Sequence, residues 1–407
     1  MLILTVIILI IIELFAWNRY RDVKSPAFLH GILWIIALIN LQTMHGRVNL
    51  RSEVLAIFII GEVVFQVGFM IGLHIKVKQR NYSVFANNST MKWLIVVLVV
   101  LAIPVIYQYI GFIRSYGGSI YTAIRRAGVT LNLPSLFDYY RKITQFLFFC
   151  FVIVYWKEPK EKRRSLRGYV FALFIIAMLA TISVPTRNSV LFFMLPLVMI
   201  WFCTHQTSNK RIAVILLFSS IAFVAIFYII STGKYWYLYA AQGASRSEII
   251  IQELQTYLSG GIAAFSETWK IHSFTRLGGN TFRFFVAIGD AIFGSRNAVP
   301  LVNEFTTIGS SITTNVYTFY DFYTRDFGIV YSILAQFLFA IIHGVSYNKM
   351  KKGNLMSIYL FGMLSYPLIM QFFQDQYISL LSTWIQILLV GFVVFGTRLF
   401  FRKEYTE

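Results

Sequence analysis

The stretch VLAIFIIGEVVFQVGFMIGLHI, residues 54–75, is almost wholly apolar and long enough to cross a lipid bilayer as one helix. About 20 residues of helix span the hydrocarbon core. The whole chain shares this character, because 57% of its 407 residues are hydrophobic and 13% are charged, and its mean hydropathy is +0.67. These values predict an integral membrane protein.

Eleven apolar runs predict about eleven membrane-spanning helices, with an error of about one span. They cover residues 1–17, 27–44, 54–75, 92–112, 143–156, 168–184, 188–203, 212–231, 328–347, 355–372 and 378–397. The run at 143–156 is short, so we expect its helix to begin near Leu136. Such runs are too long and continuous for barrel strands, so the predicted fold is an all-α polytopic bundle.

The basic residues are distributed unevenly between the connections, which predicts the orientation. Of the 36 lysines and arginines, 21 fall in alternate, mostly short connections, and 15 fall on the opposite side in a much longer length of chain. The first side should be cytoplasmic, so Met1 should lie outside and the C-terminal tail inside. We expect the first span to be retained, because no basic segment precedes it. Topology and anionic lipid then explain the net charge of +19 without a nucleic-acid partner.

The cysteine, histidine and aspartate patterns predict neither a metal site nor a cofactor. Cys150 and Cys203 lie in apolar spans, where a thiol behaves as a small hydrophobe. The six histidines have no ligand spacing with each other or with cysteine, and no D-x-D pair occurs. Asp326-Phe327-Gly328 spells a kinase motif, but neither a glycine-rich phosphate loop nor a strand lysine precedes it.

Residues 232–327 form the longest segment without a full span, between an N-terminal bundle at 1–231 and C-terminal spans with a tail at 328–407. The charge distribution predicts that this segment is external. A capping box at Ser245-x-x-Glu248 predicts a helix that Gly260-Gly261 should end. Apolar residues at helical spacing from Phe282 to Ile292 predict a second helix, on the bilayer surface or over a cavity.

Three stretches resemble the Wzy-type oligosaccharide repeat-unit polymerases, which build O-antigen and capsule. They are TRNSVL at 186–191, YLSGGIAAF at 257–265, and TNVYTFY at 314–320 followed by Asp-Phe-Gly. The span count and the large late external loop add to the likeness. It implies a fold like that of the GT-C lipid-dependent glycosyltransferases, in the bacterial cytoplasmic membrane.

The implied activity is metal-independent polymerisation of undecaprenyl-pyrophosphate-linked oligosaccharide units at the outer membrane face. The partners would be these lipid-linked sugars, membrane lipid and a chain-length regulator. Arginines would stabilise the leaving pyrophosphate, because the planar guanidinium grips two oxygens and stays charged. The pyrophosphate-binding candidates are Arg187, Arg276, Arg296 and Arg325. Taken singly, each could instead pair with an acid or extend to lipid headgroups.

A carboxylate or histidine would take the proton of the attacking sugar hydroxyl. The sequence offers Glu267, His272, Glu304, Asp321 and Asp326 and does not choose among them. The sugar-binding candidates are Tyr257, Asn315, Tyr317 and Tyr320. An aromatic belt at the bilayer interface is the alternative for the aromatic residues, although it does not account for the polar residues at 313–315.

Three other functions remain open. A non-enzymatic membrane scaffold would leave the ordered external loop without a purpose. An O-antigen ligase would share the fold and the arginine chemistry and differ only in its acceptor. A flippase or transporter should carry ionisable residues inside its spans. Glu62, one turn before Gln66, is the feature that favours it, although hydrogen bonding within the bundle also explains this pair.

Overall fold

The computed structural model describes residues 1–44, 48, 50–76, 82–115, 134–184, 186–205, 207–221, 224–225, 246–300, 302–309, 312–397 and 399–405. Its helices are α1 (Leu2–Tyr20), α2 (Pro26–Thr43), α3 (Ser52–His74), α4 (Asn88–Ser115), α5 (Ser135–Lys157), α6 (Lys160–Ile182), α7 (Arg187–Thr204), α8 (209–221), α9 (Arg246–His272), α10 (Arg283–Phe293), α11 (Phe319–Lys351), α12 (Leu355–Ile369) and α13 (Leu381–Gly391). Shorter turns lie at Met370–Phe372, Ile378–Leu380 and Phe392–Gly396. Two antiparallel strand pairs join β1 (Tyr82–Ala86) to β4 (Phe401–Tyr405) and β2 (Thr306–Ile308) to β3 (Ile312–Thr314).

Nine helical segments of the described chain are long and apolar enough to cross a membrane. The protein is therefore an all-α polytopic, multi-pass membrane protein, as predicted. Two of the eleven predicted spans are not among the nine. One is α5, which begins at Ser135 as expected but has a polar start containing Asp138, Arg141 and Lys142. The other is 212–231, of which 222–223 and 226–231 lie outside the described residues.

The chain divides into two compact units. One consists of Met1–Lys76, Thr207–Asn348 and Ser365–Leu381, and the other of Val77–Gln206, Lys349–Leu364 and Ser382–Glu407. The first unit combines α1–α3 with α8–α10 and most of α11. One segment of the first unit, Thr207–Asn348, runs through both boundaries predicted at 231/232 and 327/328.

Glycines bring α3 and α11 of the first unit into direct backbone contact. A Cβ atom on Gly72 would lie 2.3 Å from the carbonyl oxygen of Ile341, and one on Gly344 would lie 2.4 Å from that of Phe69. Small residues allow membrane helices to approach this closely. The contact holds α11 against the bundle.

Helix α9 packs on α2 and does not end at its glycine pair. It continues through Gly260 and Gly261 to His272, so the predicted end is wrong. A Cβ on Gly261 would come within 2.7 Å of the carbonyl oxygen of Phe372, and the Ser259 hydroxyl donates to the Ala37 carbonyl at 2.7 Å. The glycine is needed for close packing, which local sequence does not reveal. The predicted cap, Ser245, lies outside the described residues.

The second predicted helix of this segment is confirmed as α10, which ends at Gly294 with φ 71°. Further along, α11 consists of two helical pieces that meet at a kink, where Phe327 and Gly328 are non-helical and Gly328 has φ 80°. The predicted span at 328–347 starts at this kink.

Aromatic packing holds the second unit together. Phe148 and Phe193 stack with ring centroids 5.6 Å apart, and Tyr109 stacks on Phe137 at 4.1 Å. Strand pairing of β1 with β4 connects the chain before α4 to the C-terminal segment.

Candidate anion-binding and proton-transfer site

Two of the arginines that the sequence suggests for pyrophosphate binding converge on one carboxylate in the first unit. Nη1 of Arg325 donates to Oε2 of Glu304 at 2.9 Å, and Nη2 of Arg276 donates to Oε1 of the same group. The Glu304 side chain is 60% exposed, whereas that of Arg325 is 3% exposed. Two guanidinium groups thus present donors to the two oxygens of one solvent-facing anion, the geometry that also suits phosphate.

Arg325 is fixed from several sides but retains a free donor. Its Nε donates to Oδ2 of Asp321 at 2.6 Å, and its guanidinium lies 4.8 Å from the ring centroid of Tyr317. The Tyr317 hydroxyl donates to the Glu304 backbone carbonyl at 3.0 Å. Nη2 of Arg325 is buried and has no acceptor among the described residues. A buried donor without a partner is unfavourable, so an oxygen-bearing ligand would be stabilised there.

The charge on Glu304 persists at neutral pH. Partial burial raises the pKa of this carboxyl, but hydrogen bonds from its own backbone and from Arg325, together with the positive charges of Arg325 and Arg276, hold the pKa below its usual value. The ion pairs are therefore fully formed above the ordinary glutamate pKa of about 4.3 and are lost as the pH falls through the lowered value. An incoming phosphate must displace this carboxylate.

His272 lies beside the arginines and is oriented by Asp321. The distance from its Nδ1 to Oδ1 of Asp321 is 3.0 Å, and the imidazole side chain is 15% exposed. The rings of His272 and Tyr317 meet edge to face, with their centroids 5.3 Å apart. A carboxylate on one ring nitrogen fixes the tautomer, as in catalytic pairs where the other nitrogen handles the proton. Asp321 thus positions both His272 and Arg325.

The kink in α11 allows the turn that carries Arg276 to bond to the helix that carries Arg325. Because the helix stops at Phe327, carbonyl groups in its preceding turn are available to other donors. The Thr324 carbonyl accepts from the Phe274 amide at 3.2 Å, and the Arg325 carbonyl accepts from the Arg276 amide at 2.8 Å. The turn that carries Arg276 is thereby fixed to the helix that carries Arg325.

Asp326 has a different environment from the other predicted carboxylates. It is fully buried, and it accepts hydrogen bonds from the Asn280 amide at 3.0 Å and from the amide and hydroxyl of Thr281 at 2.7 and 2.6 Å. With these donors its oxygens are occupied by the loop before α10. The geometry favours a structural role for Asp326 over proton transfer.

We expect Asp326→Ala to lower the free energy of unfolding by about 2–5 kcal/mol, because two amides and a hydroxyl lose a buried acceptor. Thermal unfolding in detergent would measure this. Asp290→Ala is the matched control, since Asp290 also accepts three hydrogen bonds, from Ser295, Asn297 and Ala298, but is solvent-accessible. Equal thermal unfolding midpoints for Asp326→Ala and Asp290→Ala would contradict the structural role of Asp326.

The remaining predicted residues lie apart from this cluster or inside the core. Glu267 is on α9 but takes no part in the hydrogen bonds described above. Tyr257 packs on Phe373 at 4.6 Å, and Tyr320 is fully buried. Their burial does not favour contact with a sugar.

Three further candidates are more accessible. Asn315 is partly buried just after β3, and Arg296 is exposed after α10. Arg187 is the first residue of α7 in the second unit, where the Thr186 hydroxyl accepts from the Ser189 amide. Pro185, two residues before Arg187, lies outside the described residues.

A second polar cluster is buried among the spans of the first unit. Nδ1 of His30 lies 2.6 Å from Oε2 of Glu62, and its Nε2 lies 2.8 Å from Oε1 of Gln371. Gln66 donates to Glu62 at 2.8 Å and to Glu13 at 3.4 Å. The sequence indicated Glu62 and Gln66. Glu13, His30 and Gln371 could have been found as polar residues within apolar runs.

Within the described residues, no group of three or more histidine, cysteine, aspartate or glutamate side chains is arranged to hold a metal ion. Comparison with protein-family models, with curated proteins and with solved structures finds no match to this chain.

Proposed function

We propose that this protein is a membrane glycosyltransferase that joins pyrophosphate-linked, lipid-anchored oligosaccharide units into a polymer. The observation that carries the proposal is the convergence of Arg276 and Arg325 on the two oxygens of the exposed Glu304. A pyrophosphate oxygen pair could replace that carboxylate. The buried, unpaired Nη2 of Arg325 would add a third donor.

In this mechanism a hydroxyl of the acceptor sugar attacks the anomeric carbon of the donor. The new carbon–oxygen bond forms as the bond to the pyrophosphate oxygen breaks, and the lipid pyrophosphate leaves with that electron pair. Arg276 and Arg325 stabilise the developing negative charge. His272, oriented by Asp321, accepts the hydroxyl proton.

A deletion strain with its surface glycans resolved by length tests the proposal. Loss of the polymerase should leave single-unit glycans and no ladder, because export and ligation of one unit can still proceed. Loss of a ligase should instead leave polymer on the lipid carrier, and loss of a flippase should trap single lipid-linked units on the cytoplasmic side. A normal ladder would remove the polymerase proposal.

The proposal needs the site to face the external compartment, which the basic residues predict. A reporter that is active only outside the cytoplasm should therefore be active when fused after Gly279. The same reporter fused after Arg163, within the basic connection at 157–167, should be inactive. The reverse pattern would place the site on the wrong side for externally polymerised units.

Transport is a second candidate function, and the buried cluster around Glu62 is the observation that favours it. Intramembrane ionisable residues often mark substrate or ion pathways. His30 and Glu62 are 1% and 0% exposed, respectively, so a structural role within the bundle is the competing explanation.

Glu62→Gln separates the two candidate functions, since the amide retains the shape and can still bond Gln66. With a polymerase we expect the glycan ladder to persist, with a rate within about threefold of wild type. Gel analysis of surface glycan, with membrane abundance as the control, measures this. Loss of all surface glycan at normal abundance would favour transport.

A further inference from the structure

Helix α10 has one side fixed to its own chain and the other side uncovered. Arg283 and Asp290 are seven residues apart, about two helical turns, and so lie on the same side. Arg283 donates to the Val299 carbonyl at 2.8 Å, and Asp290 accepts from the amides of Asn297 and Ala298 at 2.9 and 2.7 Å. The returning segment 295–299 therefore covers the polar side.

The opposite side of α10 is apolar and exposed. We call it the α10 apolar face, and its residues are Phe282, Phe285, Ile288, Ile292 and Phe293. These side chains are 44–83% exposed, and no residue of the helix is buried. A contiguous apolar surface of this kind marks contact with a membrane or another protein.

The turn before α10 extends the same surface next to Arg276. Phe274 and Leu277 have positive φ angles of 59° and 44°, which are unfavourable for side chains of this size. Both side chains are exposed, although the backbone of the turn is anchored to α11 through the Phe274 and Arg276 amides. The strained turn thus presents two large apolar side chains on either side of an arginine of the candidate site.

This surface continues into the outward-facing side of a membrane span. A Cβ on Gly278 would lie 2.9 Å from the Phe327 ring and 3.1 Å from the Phe282 ring, so the α10 apolar face adjoins the kink of α11. Beyond the kink, exposed residues follow at every fourth position, which places them on one side of the helix. They are Val330, Leu334, Leu338 and Ile342. On a membrane span, such a stripe contacts lipid hydrocarbon.

We infer that the α10 apolar face and the 274–277 turn lie in the bilayer interface, with the apolar side chains among the acyl chains of the lipids. The continuity with the lipid-facing stripe selects lipid over a protein partner. An amphipathic helix with its polar side covered and its apolar side free is suited to that depth. The inference concerns the position of α10 and stands without the proposed function.

If the proposed function holds, the position of α10 also determines how the donor reaches the site. Arg276 would then lie at headgroup level, where the pyrophosphate of a lipid-anchored sugar resides while its hydrocarbon tail remains in the bilayer. The donor would reach Arg276 and Arg325 laterally from the membrane, without leaving it.

Depth-dependent fluorescence quenching tests the position. Ile292→Cys, labelled with an environment-sensitive fluorophore, is reconstituted into phosphatidylcholine vesicles with or without brominated acyl chains. We expect brominated lipid to lower its emission about twofold or more, as for a group in the acyl region. Asn297→Cys, exposed in the covering segment, is the matched control and should change little. Labelled protein without either substitution gives the background from Cys150 and Cys203.

Two results would overturn the inference. One is an absence of quenching at position 292, and the other is efficient disulfide cross-linking of Ile292→Cys between two copies, which would assign the face to a second chain. Neither reading depends on catalysis. If position 292 is not quenched but the polymer ladder is normal, the position of α10 is wrong and the proposed function stands. If position 292 is strongly quenched but the protein has no polymerase activity, the position of α10 stands and the proposed function is wrong.

Discussion

Arg276→Ala is expected to lower the rate of polymer formation by about 10²–10³, the usual effect of removing one preorganised donor to developing negative charge. The fold should survive, because Glu304, the partner of Arg276, is 60% exposed and keeps its ion pair with Arg325. The measurement is the rate at which purified protein extends lipid-linked repeat units, with the thermal midpoint determined on the same sample.

Lys270→Ala is the charge-matched control for Arg276→Ala. Lys270 pairs with Glu53 at 3.4 Å, and both side chains are at least half exposed, so its loss should leave the rate unchanged. Arg276→Lys should recover little activity, because an ammonium group lacks the planar fork that holds two oxygens. A wild-type rate in Arg276→Ala would remove this residue from the pyrophosphate site.

His272→Ala is the other variant with a large expected effect, a fall in rate of about 10²–10⁴, since a positioned base contributes that much. The substrate affinity should change less than the turnover, because the base acts in the chemical step. Steady-state kinetics with varied acceptor would separate the two.

His74→Ala serves as the control for His272→Ala. His74 is an exposed histidine at the end of α3, bonded to the Met70 carbonyl at 2.7 Å, and its replacement should leave turnover unchanged. If His272→Ala retained full turnover, proton transfer would have to be reassigned to one of the carboxylates.

Local sequence patterns were sufficient to predict those parts of the structure that depend on residues close together in the chain. Hydropathy predicted the membrane class and most of the spans, and the apolar spacing from Phe282 to Ile292 predicted α10. The expectation that glycine ends a helix failed at Gly260 and Gly261. Only the approach of the distant Phe372 carbonyl explains why glycine occurs there inside a helix.

The candidate site could be predicted as a set of residue types but not as an arrangement. His272 and Asp321 are 49 positions apart, and Arg276 and Glu304 are 28 apart. The kink at Gly328 contributes, because carbonyl groups just before it accept hydrogen bonds from the Phe274 and Arg276 amides. Asp321 and Asp326 lie five residues apart in one helical segment, with Arg325 between them. Their different environments likewise arise from tertiary contacts.

The most direct test of the polymerase activity uses purified protein in vesicles with lipid-linked repeat units as the sole sugar substrate. We expect products longer by whole repeat units, with one lipid pyrophosphate released for each bond formed, and we expect the reaction to continue in the presence of a chelator. Folded wild-type protein that leaves the lipid-linked units at their original length would contradict the polymerase activity.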